Sequence, residues 1–384
     1  MTSFSVDIGH RELTLADRVR GINWGLIMLL CMIATVGFAM LYSAANGNWQ
    51  PWASKQMARF AIAFIPMIAA ALIDIRYWFR VSYWLYALAL VLILAVDLRG
   101  VIGMGAQRWI DLGVIQLQPS ELMKIALIVA LARYFHCLPT ENAPRFIDLL
   151  VPAGLVIVPV GLVLKQPDLG TAMMLLASGA IIFFLAGVRL WVFAAGAVAA
   201  CAAAPLVWSM LREYQRARLF TFLSPDSDPL GAGYHIMQSK IALGSGGLFG
   251  KGFLAGTQTH LAFLPERQTD FIFTMIAEEF GLVGGLALLT LYALVIVYGF
   301  TIALRSRNQF GRILGLGLAT NFFLYVFINT AMVIGLIPVV GVPLPLISYG
   351  GTAMLTLLFS FGLIMSIYIH RDVRISRLGE SQVL

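Results

Sequence analysis

Apolar residues dominate this chain in long runs, broken only by short polar connections. Ten runs are long enough to cross a bilayer core of about 30 Å: 22–43, 55–74, 77–97, 119–136, 146–164, 168–187, 190–210, 271–301, 311–336 and 347–370. The pattern predicts an all-α polytopic membrane protein of about ten transmembrane helices, with 1–384 forming one domain. The connections at 165–168 and 187–190 are so short that the helices they join must be antiparallel neighbours. Small residues recur inside the spans, at Gly154, Gly161, Gly179, Gly196 and through the alanine-rich 194–204, as close helix contact in lipid favours. The run after Gly335 is punctuated by Pro338, Pro343 and Pro345, which leave backbone groups unpaired. At membrane depth that is tolerated only against protein or a wet cavity.

Composition agrees with the pattern. Hydrophobic residues make up 60% and charged residues 12%, about half the charge of a soluble domain. Residues before 21 are polar and charged and offer no cleavage site, so the first span is expected to be retained. Cys31, Cys137 and Cys201 are too scattered to suggest a disulfide framework or a zinc site. The net charge of +7 comes without a basic block, so membrane topology explains it better than nucleic acid does. Fourteen Lys and Arg fall in the short connections of one side and six on the other, which puts both termini in the cytoplasm. The long loop at 211–270, between the seventh and eighth spans, then lies outside.

Candidate chemistry gathers around that loop's end. Residues 256–281 pass from a Gly- and Thr-rich loop through Glu266, Arg267 and Asp270 into an apolar helix, with Thr269 as the expected cap. A carboxylate at this boundary is partly dehydrated yet reachable by a polar substrate. Glu278 and Glu279 follow within the apolar run, where an ionised side chain needs a partner. Neutralisation of nearby cations is the alternative reading for all of these acids.

In Gln118-Pro-Ser-Glu-Leu-Met-Lys124, Glu121 and Lys124 share a helix face. They either neutralise each other, or Glu121 holds Lys124 so that it and Arg108 meet a phosphate. Asp168, in Lys165-Gln-Pro-Asp-Leu-Gly-Thr171, is either a helix cap or a site residue. Arg216, Arg218, Gln238 and Lys240 either meet an anionic head group or form a solvated face. The stretch Gly244-Ser-Gly-Gly-Leu-Phe-Gly-Lys-Gly252 departs from a phosphate loop at Ser245 and Gly252 and reads as a flexible hinge.

Four motifs in order carry a resemblance over essentially the whole chain: Gln118 to Lys124, Gln166 to Thr171, Phe263-Leu-Pro-Glu-Arg-Gln-Thr-Asp-Phe-Ile-Phe273, and Pro343-Leu-Pro-Leu-Ile-Ser-Tyr-Gly-Gly351. They resemble the SEDS family (shape, elongation, division, sporulation), and the stretch ending at Asp270 is similar to its elongation branch, with Gln268 where a His is expected. The resemblance implies a peptidoglycan glycosyltransferase of the bacterial inner membrane that polymerises lipid II on the outer side, in elongation and rod-shape maintenance. It implies ten transmembrane helices and a class B penicillin-binding protein as transpeptidase partner, within the elongation machinery.

Asp270 matches the family's essential acid, and Glu121, Lys124 and Asp168 match polar residues of its outward cavity. The implied reaction is a single inverting displacement, with Asp270 as base. Lys124, Arg108 and either the loop cations or a divalent ion (Mg2+ or Mn2+) stabilise the leaving diphosphate. Arg216, Arg218, Lys240 and Glu278 complete the expected substrate-binding set. The competing class is a lipid II flippase, which would need polar groups through the whole membrane depth; a passive scaffold would leave Glu121, Lys124 and Glu278 without a purpose.

Overall fold

The computed structural model describes residues 14–99, 101–103, 106–111, 116–139, 144–210, 216, 220, 222, 232–257 and 267–376. After a short helix α1 (Leu15–Arg20), helices occupy each apolar run: α2 (Trp24–Ala44), α3 (Ala53–Leu72), α4 (Ile75–Arg99), α5 (Pro119–Cys137), α6 (Leu150–Lys165), α7 (Leu169–Leu185) and α8 (Leu190–Met210). Helix α9 (Ala232–Ser245) lies within the long loop, and α10 (Ile272–Leu304), α11 (Gln309–Ile334) and α12 (Gly351–Ile369) follow it. Among the described residues, seven helices are long and apolar enough to cross a membrane, which makes this a multi-pass membrane protein. Among the remaining long helices, α5 carries Glu121, Lys124 and Arg133, and α7 has only 17 residues.

Local chemistry sets the helix ends. Pro119 opens α5, where its missing N–H costs nothing. Asn23 caps α2 by accepting from the Leu26 amide at 3.1 Å. Gly335, left-handed at φ 80°, closes α11. Helices α5, α11 and α12 are buried over most of their lengths and form the centre of the bundle. Helices α3 and α12 pack so closely that a Cβ on Gly362 would lie 2.4 Å from the Met67 carbonyl.

Four features differ from the expectations. The small-residue rule holds at Gly179, which packs on Val156, but residues 194–204 of α8 are exposed at the periphery. A small antiparallel sheet, β1 (Val101–Gly103), β2 (Ala106–Asp111) and β3 (Gln116–Leu117), joins α4 to α5 and carries Arg108. The 271–301 run is one 33-residue helix broken at Gly281 (φ 68°, ψ −163°). Its second piece, 282–304, is about 34 Å long and spans on its own. The glycine-rich stretch is no open hinge, because it is bonded to the backbone on both sides of that break. Lys251 and Gly252 donate to the Glu278 and Glu279 carbonyls, both at 3.0 Å, and Leu282 donates to the Gly247 carbonyl at 2.9 Å. A Cβ on Gly250 would lie 2.1 Å from the Glu279 carbonyl, so only glycine permits this approach.

Candidate active site

The proline-rich segment between Gly335 and Gly351 is not helical, and side chains satisfy its backbone. The Tyr292 hydroxyl donates to the Pro345 carbonyl (2.6 Å) and the Gln56 amide to that of Ser348 (2.8 Å). The Asn329 amide donates to that of Val342 (2.7 Å), and the Ser348 hydroxyl accepts from the Leu344 amide (2.8 Å). The segment therefore lies against protein, as membrane depth requires.

The turn holding Asp270 is built on this platform. Its carbonyls at Gln268, Thr269 and Asp270 accept from the Tyr349 amide (2.8 Å), the Ser348 hydroxyl (2.6 Å) and the Asn329 amide (3.0 Å). Asp270 itself is half-buried, with Oδ2 3.4 Å from where a Cβ on Gly341 (φ +72°) would stand. Thr269 does not cap α10, whose N-cap is Phe271 without a side-chain bond. Two arginines flank the turn: Arg59 stacks on Tyr349, 4.5 Å from the ring centre, and Arg267 faces Trp52 at 6.0 Å. Burial lowers the Arg267 pKa from its ordinary value.

A second cluster lies beneath, in the bundle centre. Lys124, 1% exposed, is 2.6 Å from Glu121 Oε1 and also donates to the Tyr325 hydroxyl. Tyr325 donates in turn to Glu121 Oε2, and its ring centre lies 4.3 Å from the ammonium. The buried Lys124 and Glu121 side chains are thus paired, with the Tyr325 phenol bridging them. Asn321, Tyr325 and Asn329 are spaced four residues apart and form a polar stripe on α11, whose first member meets the Ser178 hydroxyl at 3.3 Å.

A third group sits at the start of α7. Asp168 caps the helix through the Thr171 amide (3.2 Å) and hydroxyl (2.9 Å) and accepts from the Gln118 amide (3.2 Å). Arg108, with 27% of its side chain exposed, lies 3.9 Å from Asp168 and donates to the Gln166 and Pro167 carbonyls. A fourth group holds the helix break. Lys251 pairs with buried Glu278 at 2.8 Å and bonds Thr257 at 2.7 Å, while the Ser43 hydroxyl donates to Glu279.

Comparison with known proteins places this geometry. The family model for cell cycle proteins of the FtsW, RodA and SpoVE type matches residues 21–373. The chain belongs to this family. The peptidoglycan glycosyltransferase MrdB of Escherichia coli is 45% identical over 348 residues, covering 90% of this chain and 94% of that protein. A chain from a peptidoglycan synthase complex, in a structure concerned with coordinating polymerization and crosslinking, superposes with a TM-score of 0.79. It is 32% identical and covers 91% of this chain and 98% of that chain. The rod shape determining protein RodA of Thermus thermophilus superposes at 0.69, with 29% identity over 91% of this chain and 97% of that one.

Within this FtsW–RodA–SpoVE frame, the expected site residues divide into groups. Glu121 and Lys124 are paired with each other, and Arg108 with Asp168. Gln118 ties the start of α5 to the second pair. Glu278 holds the long loop through Lys251 and Thr257. Arg216 folds back onto the Trp208 and Ser209 carbonyls at 3.1 and 3.0 Å, and Lys240 is exposed on α9. Arg218 and Glu266 lie outside the described residues.

Sequence reasoning missed Tyr325, Asn329, Ser348 and Gln56. The four-residue spacing of Asn321, Tyr325 and Asn329 in an apolar helix was the available signal. For a divalent ion, no three His, Cys, Asp or Glu side chains come together among the described residues.

Proposed function

We propose that this chain is a peptidoglycan glycosyltransferase that polymerises lipid II at the outer face of the cytoplasmic membrane, in cell elongation. The observation that carries the reading is Asp270. It is a half-buried carboxylate in a turn fixed by three successive carbonyl bonds, on a chain 45% identical to E. coli MrdB. The donor sugar is α-linked to undecaprenyl diphosphate and the product bond is β-1,4, so one displacement inverts the anomeric carbon. Asp270 accepts the proton of the acceptor's 4-hydroxyl as that oxygen bonds the carbon and the bond to the diphosphate breaks. Arg108 and Lys240, both reachable from solvent, offer charge to the leaving diphosphate. Arg216 and Arg218 belong to the same long loop and serve the same anion. In this reading Lys124 meets the diphosphate with Glu121 holding it, and Asp168 orients Arg108.

The proposed topology has ten spans, both termini in the cytoplasm and 211–270 outside. The partner is a class B penicillin-binding protein that crosslinks the strands; the related chain drawn from a peptidoglycan synthase complex supports this pairing. Against a flippase, the polar stripe of α11 stops at Asn321, and the buried residues from there towards Gln309 include Leu318, Leu314, Ile313 and Phe310.

The test uses purified protein with its partner in detergent, where no membrane separates compartments, given fluorescent lipid II. Glycan ladders should form with the transpeptidase serine acylated, and Asp270→Asn should reduce them by at least ~10²-fold. Lipid II flipping in sealed vesicles, untouched by Asp270→Asn and with no polymer in detergent, would replace this reading with the transporter.

A further inference from the structure

Asn329 is fully buried in the next-to-last turn of α11. A carboxamide there is costly unless bonded. Its two donor bonds go to the carbonyls of Asp270 and Val342, at 3.0 and 2.7 Å. Both partners are carbonyl oxygens, so the nitrogen must face them and the amide orientation is fixed.

The two carbonyls belong to the irregular segments that meet at Asp270, the turn before α10 and the proline-rich stretch after α11. Tyr349 and Ser348 hold the two preceding carbonyls, and Asn329 holds that of Asp270 itself. Its second bond fixes Val342, next to Gly341, whose left-handed backbone (φ +72°) comes against Asp270 Oδ2: a Cβ there would stand 3.4 Å from that oxygen. One side chain therefore sets where the carboxylate sits relative to the wall beside it.

We infer that Asn329 is a positioning residue for the proposed base, holding Asp270 in the reactive geometry without touching substrate. The inference rests on Asp270 being the base. Displacements of about 1 Å at a reacting group cost on the order of 10²-fold in rate, so the effect belongs in kcat, whereas a general packing defect would lower the yield of folded protein instead.

The experiment measures kcat and KM for lipid II with the full chain and its partner, alongside thermal stability and Asp270→Asn as reference. Asn329→Leu keeps the approximate size and removes both donors; kcat should fall by ~10²-fold with KM within about threefold. Asn329→Gln keeps the donors on a longer arm and should recover at least about tenfold of that loss. If the Leu variant does not fold, Asn329→Ala removes the same two donors without a branched side chain and should show the same kcat-only loss. Parent-like kcat in Asn329→Leu, a loss confined to KM, a Gln variant no better than Leu, or, where Asn329→Ala stands in, parent-like kcat there would overturn the inference. Near-parent activity in Asp270→Asn would instead remove the base reading beneath it.

Discussion

At the scale of single residues, the buried triangle of Glu121, Lys124 and Tyr325 poses the sharpest question. Removing one partner of a buried ion pair strands the other charge and costs roughly 3–5 kcal/mol, whereas replacing both with neutral groups is often nearly free. Lys124→Met should therefore lower thermal stability sharply, and adding Glu121→Gln should restore it, read by a melting curve in detergent. Activity then separates the two roles. If Lys124 meets the diphosphate, the stable double variant remains inactive; recovery of polymerisation would leave the pair with only mutual neutralisation to do. The pair itself was legible, because i, i+3 spacing puts the two side chains on one helix face. Tyr325 was not, since it comes from a helix two hundred residues away and only packing brings it there.

At the scale of elements, the ten apolar runs were legible because lipid imposes a length and a polarity on any span. What pattern could not show is where a run changes direction. The break at Gly281, just after the Glu278–Glu279 pair, is held by a tertiary contact that no local pattern announces: residues 246–252 bond the backbone on either side. The same contact occupies the groups that a phosphate loop would offer: the Lys251 and Gly252 amides bond the Glu278 and Glu279 carbonyls, and the Lys251 ammonium pairs with the Glu278 carboxylate. Gly250→Val would push a branched side chain into the Glu279 carbonyl at a left-handed φ of 80°. The folded yield of that variant should drop severely, measured by size-exclusion of the detergent extract, whereas Lys251→Met, which leaves the backbone contact intact, should lose less. Equal yields for the parent and Gly250→Val would mean that the clamp contributes nothing to folding.

At the scale of the molecule, the proposed chemistry depends on which side Asp270 faces. Fourteen cationic residues against six in the short connections are the argument for the proposed orientation, and the cysteines allow it to be tested directly. Cys137, exposed at the end of α5, lies at the opposite end of that helix from Glu121 and Lys124, and is cytoplasmic in the proposed topology. Leu248 is 62% exposed in the clamp beside the N-terminal end of the 282–304 piece, which the proposed topology puts outside. With Cys31 and Cys201 replaced by Ala, an impermeant maleimide on intact spheroplasts should leave Cys137 unlabelled until the membrane is opened. A further Leu248→Cys change, with Cys137→Ala, should give a protein labelled from outside at once. The reverse pattern would place Asp270 on the cytoplasmic side. There a lipid II substrate is not yet across the membrane, and outer-face polymerisation would have to be abandoned along with the topology.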